Sequence, residues 1–163
     1  MNSERGAERE CSISLSVNGE CVDHSVPERL LLVDFLRDRC GLSGVRVGCG
    51  EGYCGSCTIL LDGDPVRACL MFAVQANGTS ITTVEGLAGN AKLEALKRSF
   101  KECHALQCGF CTPGILVSLT HLLETSPAAD DTELKSCLTG HLCRCTGYRN
   151  IVSAASNAMD EAR

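Results

Sequence analysis

The chain reads as α+β, with strands and tight turns up to about residue 84 and helices from about residue 90 onward. Three observations predict this division. In the first part, short segments of alternating apolar residues are separated by Asn-Gly and Asp-Gly turns. In the second, apolar residues recur at helical spacing. Between them lies a run of mostly small residues, EGLAGNA (85–91). A length of 163 residues suits one ordinary domain or two small ones.

Residues 1–11 are rich in charge and are expected to be disordered or loosely attached. SISLSV (12–17) alternates, with Ile13, Leu15 and Val17 on one face, and Asn18-Gly19 supplies a two-residue hairpin turn. ECVDHSV (20–26) returns with Val22, His24 and Val26 on one face. Pro27 then opens a helical run, RLLLVDFLRDRC (29–40), in which Leu32, Phe35 and Leu36 recur at helical spacing, and Gly41 ends it. After a loop of cysteine and glycine, TILLD (58–62) turns at Asp62-Gly63 into PVRACLMFAV (65–74). A second Asn-Gly (77–78) precedes SITTVEG (80–86), a last strand ending near residue 84. This order predicts a small mixed sheet with a helix across it.

KLEALKRSFKECH (92–104) is amphipathic, with Leu93, Leu96 and Phe100 on one face. PGILVSLTHLLET (113–125), DDTELKSCLTG (130–140) and GYRNIVSAASNAMDEA (147–162) follow. Four short helices with short connections predict a small bundle.

Composition narrows the function. The apolar fraction of 44% is typical of a folded globular chain, and the net charge is −5. Neither half is basic, and with no Trp, 2 Tyr and 4 Phe there are few rings on which bases could stack, which argues against nucleic acid as a partner. ILVSLTHLL (115–123) is too short for a membrane span and is interrupted by Ser118, Thr120 and His121. The start, MNSERGAERE, shows no apolar signal region and no twin arginine. Cysteines number 13, an odd count that suits a disulfide framework poorly. A reduced, cytoplasmic, metal-binding protein is the expectation.

Cys49, Cys54 and Cys57 form C-x4-C-x2-C, a spacing found in plant-type [2Fe–2S] sites. Four thiolates must converge on a rhomb of two irons and two sulfides, so the loop has to wrap closely. Gly48, Gly50, Gly52 and Gly55 permit positive φ and allow backbone N–H groups to point at the sulfurs, where they tune the reduction potential. Cys69 is the nearest candidate for a fourth ligand. Unligated loop thiols and a zinc site are the alternatives, although zinc usually takes two separated C-x2-C pairs with fewer glycines.

The second half holds two more close pairs, Cys108/Cys111 in QCGFCTPG and Cys143/Cys145 in LCRCTGY. Each pair is followed by Thr and then a helix. Thr112 is the expected N-cap with Pro113 at the first helical position, and Thr146 is expected to repeat the cap. Two helix N-termini would then face a negatively charged centre. Cys103, Cys108 and Cys111 also share the C-x4-C-x2-C spacing, but Cys103 sits in an amphipathic helix pattern with no glycine before Cys108. Cys11, Cys21, Cys40, Cys103 and Cys137 are therefore read as packed thiols. His24, His104, His121 and His141 are read as ordinary surface or packing residues. Arg144, between two candidate ligands, offers a charge for a centre, a partner or the solvent.

GCGEGYCGSCTILLDG (48–63) with Cys69, then QCGFCTPG, then LCRCTGYRNI (142–151), resembles the iron–sulfur subunit of molybdenum hydroxylases. That group includes xanthine dehydrogenases, aldehyde oxidoreductases, carbon monoxide dehydrogenases and bacterial N-heterocycle or hydroxybenzoyl-CoA oxidoreductases. The resemblance runs from about residue 12 to 160 and rests on two cysteine sets in the family's order. Ordinary plant-type ferredoxins place their fourth cysteine much farther along. The resemblance implies a ferredoxin-like β-grasp domain over 12–84 and a four-helix bundle over 85–163. It assigns one [2Fe–2S] cluster to Cys49, Cys54, Cys57 and Cys69, on the side of an FAD-binding medium subunit. It assigns the other to Cys108, Cys111, Cys143 and Cys145, beside a molybdopterin-binding large subunit. It further implies that Gln107 and Cys145 contact the molybdopterin, its cytosine dinucleotide form included, and that the usual assembly is a dimer of heterotrimers.

The function so implied is a wire. Substrate is hydroxylated at molybdenum, and electrons pass singly through the cluster of the helical domain, then that of the β domain, to FAD. Two clusters divide a distance too long for one efficient jump. The chain itself shows no nucleophile, base or nucleotide loop for substrate chemistry. A free-standing two-cluster electron carrier and a zinc-binding interaction module are the rival readings. Substrates from N-heteroaromatics to aldehydes and carbon monoxide are all compatible with the chain.

Overall fold

The computed structural model describes residues 9–161. The predicted loose start lies, up to residue 8, outside the described residues. Glu10 and Cys11 do not belong to it: β1 (Glu10–Val17) begins there, two residues earlier than expected, and pairs antiparallel with β2 (Glu20–Pro27). Asn18 and Gly19, with φ of 53° and 86°, make the turn whose twist matches a hairpin. Ile13, Leu15 and Val17 point into the core while Ser12 and Ser14 face solvent.

The run after Pro27 forms a short helix, α1 (Leu32–Asp34), that widens into π turns over Phe35–Arg39. The Cys40 N–H reaches back five residues to the Phe35 carbonyl at 3.2 Å. Leu32, Phe35 and Leu36 are all buried, and the His24 ring meets Phe35 edge-on at 5.3 Å.

β3 (Thr58–Leu61) and β4 (Asp64–Arg67) form the second hairpin, around Asp62 and Gly63 at φ 50° and 94°. The long return arm expected over 65–74 stays extended only to Arg67. Beyond it lie two 3-10 turns, Ala68–Leu70 and Ala73–Ala76. Its backbone groups are used elsewhere: the Met71 carbonyl accepts from Leu32 N–H at 2.8 Å, and the Ala73 N–H donates to Leu30 at 2.8 Å. β5 (Ser80–Thr82) then runs parallel to β1 and antiparallel to β3, giving a mixed sheet in the order β2-β1-β5-β3-β4.

The connection to the second half is pinned. Asn18 Oδ1 accepts from Thr83 N–H at 2.9 Å, and Glu85 accepts from Thr83 Oγ1 at 2.6 Å and from Gly44 N–H at 2.7 Å.

The helices are α2 (Ala91–Glu102), α3 (Thr112–Thr125), α4 (Asp131–Thr139) and α5 (Arg149–Glu161). Asn90 caps α2 by accepting from Lys92 and Leu93 N–H, and Asp130 with Glu133 forms a capping box on α4. α2 packs on α3 and α5, and α4 packs on the same two helices. α3 also packs on β3 and β4, so Gly114 through Thr120 are buried all round. That position explains why its sequence is apolar on every face. Leu60 of β3 joins the helical core, so the two halves share apolar contact. Among the described residues no helix is long and apolar enough to cross a membrane.

Candidate metal centres

The first cysteine set is built on the loop that leads into β3. Gly50, Gly52 and Gly55 take positive φ as expected, but Gly48 does not. Space at Gly48 is tight instead: a Cβ there would stand 3.0 Å from Cys54 Sγ. The N–H groups of Glu51 and Cys54 point at Cys49 Sγ, at 3.4 and 3.5 Å. Cys69 arrives from the 3-10 turn after β4. Cys54, Cys57 and Cys69 are buried and Cys49 half-buried. Cys49 lies against Cys54, and Cys57 against Cys69.

These surroundings split the thiols. Burial pushes Cys57 up to about 12. Burial also raises Cys49, but the N–H groups of Glu51, Cys54 and Tyr53 and the Cys54 thiol outweigh it and bring Cys49 down to about 7.

The second set joins the start of α3 to the loop before α5. Cys108 and Cys145 are exposed with their sulfurs 3.5 Å apart, while Cys111 and Cys143 are buried beside each other. Burial pushes Cys111 up to about 12. The Phe110 N–H, and then the Cys145 thiol, lower Cys108. Burial acts to raise Cys143, but the Thr146 hydroxyl and N–H and the Cys145 N–H outweigh it and lower that thiol. Cys145 is raised, chiefly by the Cys108 thiol.

Neither of the two expected threonine caps sits over a helix end. Cys111 occupies the N-cap position in helical geometry, so Thr112 is already inside α3, and no side chain caps the helix. Thr146 precedes α5 by three residues; its hydroxyl lies 3.1 Å from Cys143 Sγ and accepts from Tyr148 N–H at 3.2 Å. Tyr148, at φ 66°, stands outside helical geometry just before α5 begins at Arg149, and its hydroxyl turns back to the loop. That hydroxyl accepts from Cys143 N–H at 2.8 Å and donates to the His141 carbonyl at 3.0 Å.

Among the described residues no three His, Cys, Asp or Glu side chains converge as a single ion requires. The eight thiols stand as four close pairs, two to each set. A two-iron rhomb takes one pair of thiolates at each iron, whereas zinc takes all four at one point. The donor set therefore fits [2Fe–2S] better than zinc. Ligation would deprotonate the buried thiols and offset their charge, which burial alone opposes.

The two sets are tied to each other. The Leu142 N–H donates to the Cys54 carbonyl at 2.9 Å. Arg46 Nη1 donates to the Gly109 carbonyl at 2.6 Å. Arg67 donates to Thr58 Oγ1 at 2.5 Å and to the Gly140 carbonyl at 2.7 Å. The start of α3 presses on the first loop, so a Cβ on Gly114 would stand 2.2 Å from the Gly55 carbonyl oxygen. Arg46, Arg67 and Tyr148 carry no local sequence signal, because their partners are chosen by the tertiary fold.

Of the other cysteines, Cys11, Cys40, Cys103 and Cys137 are half-buried, and Cys21 is exposed on the outer strand rather than packed. His24, His104 and His121 are not buried, but His141 is, with Nε2 2.8 Å from Ser118 Oγ. Burial lowers His141 to about 4, with Arg67 adding to the shift. Gln107 and Arg144 are exposed. An open cleft of about 610 Å3 between β4, α3 and α4 is lined by Arg67, His121, Glu133 and Cys137 among others, and by none of the eight candidate cysteines.

Residues 15–88 match the family described as 2Fe-2S iron-sulfur cluster binding domain, and residues 83–156 match the [2Fe-2S] binding domain. The chain is 53% identical over 145 residues to caffeine dehydrogenase subunit gamma of Pseudomonas sp. (strain CBB1), covering 87% of each. It is 50% identical over 148 residues to the 6-hydroxypseudooxynicotine dehydrogenase complex subunit beta of Paenarthrobacter nicotinovorans, covering 90% of this chain and 92% of that one. Among solved structures it is similar to quinoline 2-oxidoreductase from Pseudomonas putida 86, with a TM-score of 0.86 and 47% identity, covering 94% of this chain and 96% of that chain. It is also similar to the aldehyde oxidoreductase of Desulfovibrio desulfuricans ATCC 27774, with a TM-score of 0.84 and 38% identity; there 92% of this chain corresponds to 17% of a longer one.

Proposed function

Because this chain belongs to the iron–sulfur small subunits of the molybdenum hydroxylases, we propose that it relays electrons from a molybdopterin centre in a large partner subunit to FAD in a medium one. It is the electron-transfer part of an oxidoreductase, with two 2Fe-2S domains. Each [2Fe–2S] cluster, when bound, takes up and gives back one electron at a time. In this reading Cys49, Cys54, Cys57 and Cys69 hold the first cluster, and Cys108, Cys111, Cys143 and Cys145 the second.

The observation that carries the relay is the bond from Leu142 N–H to the Cys54 carbonyl. Cys54 belongs to one set and Leu142 precedes Cys143 of the other, so one hydrogen bond closes a mostly covalent path between them. The Glu51 and Cys54 N–H groups hold negative charge at Cys49, and the Thr146 hydroxyl does the same at Cys143.

Both sets are rimmed by exposed apolar side chains, which favours a subunit over a free carrier. Tyr53 and Leu70, 61% and 62% exposed, flank Cys54 and Cys69, while Leu106, Phe110 and Leu142 flank the second set. In this reading the first rim meets the flavin subunit and the second the molybdopterin subunit, where exposed Gln107 and Cys145 touch the pterin. The helices complete a four-helix bundle in the domain at 85–163, after the β-grasp domain at 12–84. The complex is a dimer of heterotrimers in the cytoplasm, acting on an N-heteroaromatic, an aldehyde or a related small molecule.

The test is EPR of the dithionite-reduced native complex with iron counted per chain. Two [2Fe–2S] signals and about four irons are expected, with FAD and molybdenum co-purifying. Cys54→Ser should remove one signal and Cys111→Ser the other. A single signal with half the iron in the unsubstituted complex refutes the relay, and elution as a cofactor-free monomer refutes the subunit.

A further inference from the structure

Arg46 touches both cysteine loops at once. Its own N–H donates to the Ser56 carbonyl, between Cys54 and Cys57, at 3.2 Å. Its side chain turns to the other loop, where Nη1 donates to the Gly109 carbonyl, between Cys108 and Cys111. The guanidinium carbon stands 5.6 Å from the centre of the Phe110 ring, within range of a cation–π contact. Phe110 in turn lies over Gly48, its Cε1 3.4 Å from where a Cβ would stand, and its N–H bonds to the Cys108 sulfur. Carbonyl and ring thus fix the guanidinium against the Cys108–Cys111 turn.

We propose that Arg46 is a positioning residue that raises the reduction potential of the second centre. This rests on the ligand reading above. An electron added to an all-thiolate centre increases its negative charge, and a permanent cation held nearby stabilises the reduced form. Arg46 is half-buried and doubly held, so solvent screens it less than exposed Arg144. The influence is greater at the second centre, because the guanidinium itself bonds the Cys108–Cys111 turn, whereas Arg46 meets the first loop through its backbone amide and, across Phe110, at Gly48.

The test is a redox titration of the intact complex followed by EPR, with the signals assigned through Cys54→Ser and Cys111→Ser. Arg46→Gln, which removes the charge, should shift the second centre about tenfold toward its oxidised form, or about 59 mV for one electron, and leave the first within about twofold. Arg46→Lys, which keeps the charge, should restore the second potential. Equal shifts at both centres, no shift at the second, or a lysine variant that behaves like glutamine overturns the role. If the glutamine complex does not assemble, the lysine complex decides: unchanged potentials support the charge, and a lowered second potential overturns it. A native complex without the Cys111-dependent signal overturns the ligand reading and this proposal with it. Both signals with an unmoved glutamine variant overturn the role of Arg46 alone.

Discussion

Gly114→Ala is a sharp test of how the two halves meet. In an unobstructed helix the change stabilises by about 1 kcal/mol, because alanine loses less conformational freedom than glycine. Here the new methyl would stand 2.2 Å from the Gly55 oxygen and 3.2 Å from Ser56 Cα, both backbone atoms that no rotamer change can clear. Cβ atoms do not sit closer than about 3.0 Å to such neighbours, so helix or loop must retreat by about 0.8 Å. With backbone atoms this close the overpacking cost stands toward the upper end of about 1–3 kcal/mol, which outweighs the propensity gain and leaves about 2 kcal/mol of net destabilisation. For a unit of this size that lowers the melting midpoint by about 4 °C. The assay is thermal loss of visible cluster absorbance in the purified complex, since α3 follows directly on Cys111 and presses on the loop between Cys54 and Cys57. Ser153→Ala, on an exposed face of α5, serves as comparison and should change stability by under about 0.5 kcal/mol. A Gly114→Ala complex as stable as the unsubstituted one, or more so, refutes the close approach.

Tyr148→Phe removes the hydroxyl that pairs both Cys143 N–H and the His141 carbonyl, at about 1–3 kcal/mol for each backbone group left unpaired. A chelator should then strip iron faster from the second centre than from the first, followed by decay of the two EPR signals, and equal decay contradicts the assignment. Asp130 accepts from Thr132 and Glu133 N–H, and the Glu133 and Thr132 amides hold its carboxyl below the usual value of 3.8. Its folded value is depressed, so its contribution is present above pH 3.8 and is lost as pH falls through the folded value. The stability gap between the native complex and Asp130→Ala, measured by thermal midpoint, should therefore close on acidification; a gap that widens has the wrong sign.

Much of the fold is written locally. Asn18-Gly19 and Asp62-Gly63 specify two-residue turns, and both adopt positive φ at both positions. The periodicity of Leu93, Leu96 and Phe100 marks a helix face that is buried as expected. What failed locally depended on distant partners. PVRACLMFAV reads as a strand, yet Leu30 and Leu32 take its backbone groups and bend it into 3-10 turns. Thr112 and Thr146 look like caps, but chain direction at Cys111 and the turn at Tyr148 leave neither hydroxyl over a helix end. The cysteine motifs were legible from their close spacing, but only Cys49/Cys54 pairs within one motif; Cys57/Cys69, Cys108/Cys145 and Cys111/Cys143 are brought together by the fold. The guanidinium ties were not legible: Arg46 finds Gly109 across 63 residues and Arg67 finds Gly140 across 73, and no pattern in either segment names the other.

The pinned connection at Thr83 and Glu85 has a mechanical consequence. A slack joint would let thermal motion vary the gap between the cysteine sets, and tunnelling falls so steeply with distance that small excursions would spread the rate widely. Glu85 grips Gly44 and Thr83 while Asn18 holds Thr83 from the other side, so the joint has little play. Under the proposed relay the chain serves as a strut: partners seated on its two rims would be held at one spacing, and hopping between the sites would proceed with little variance.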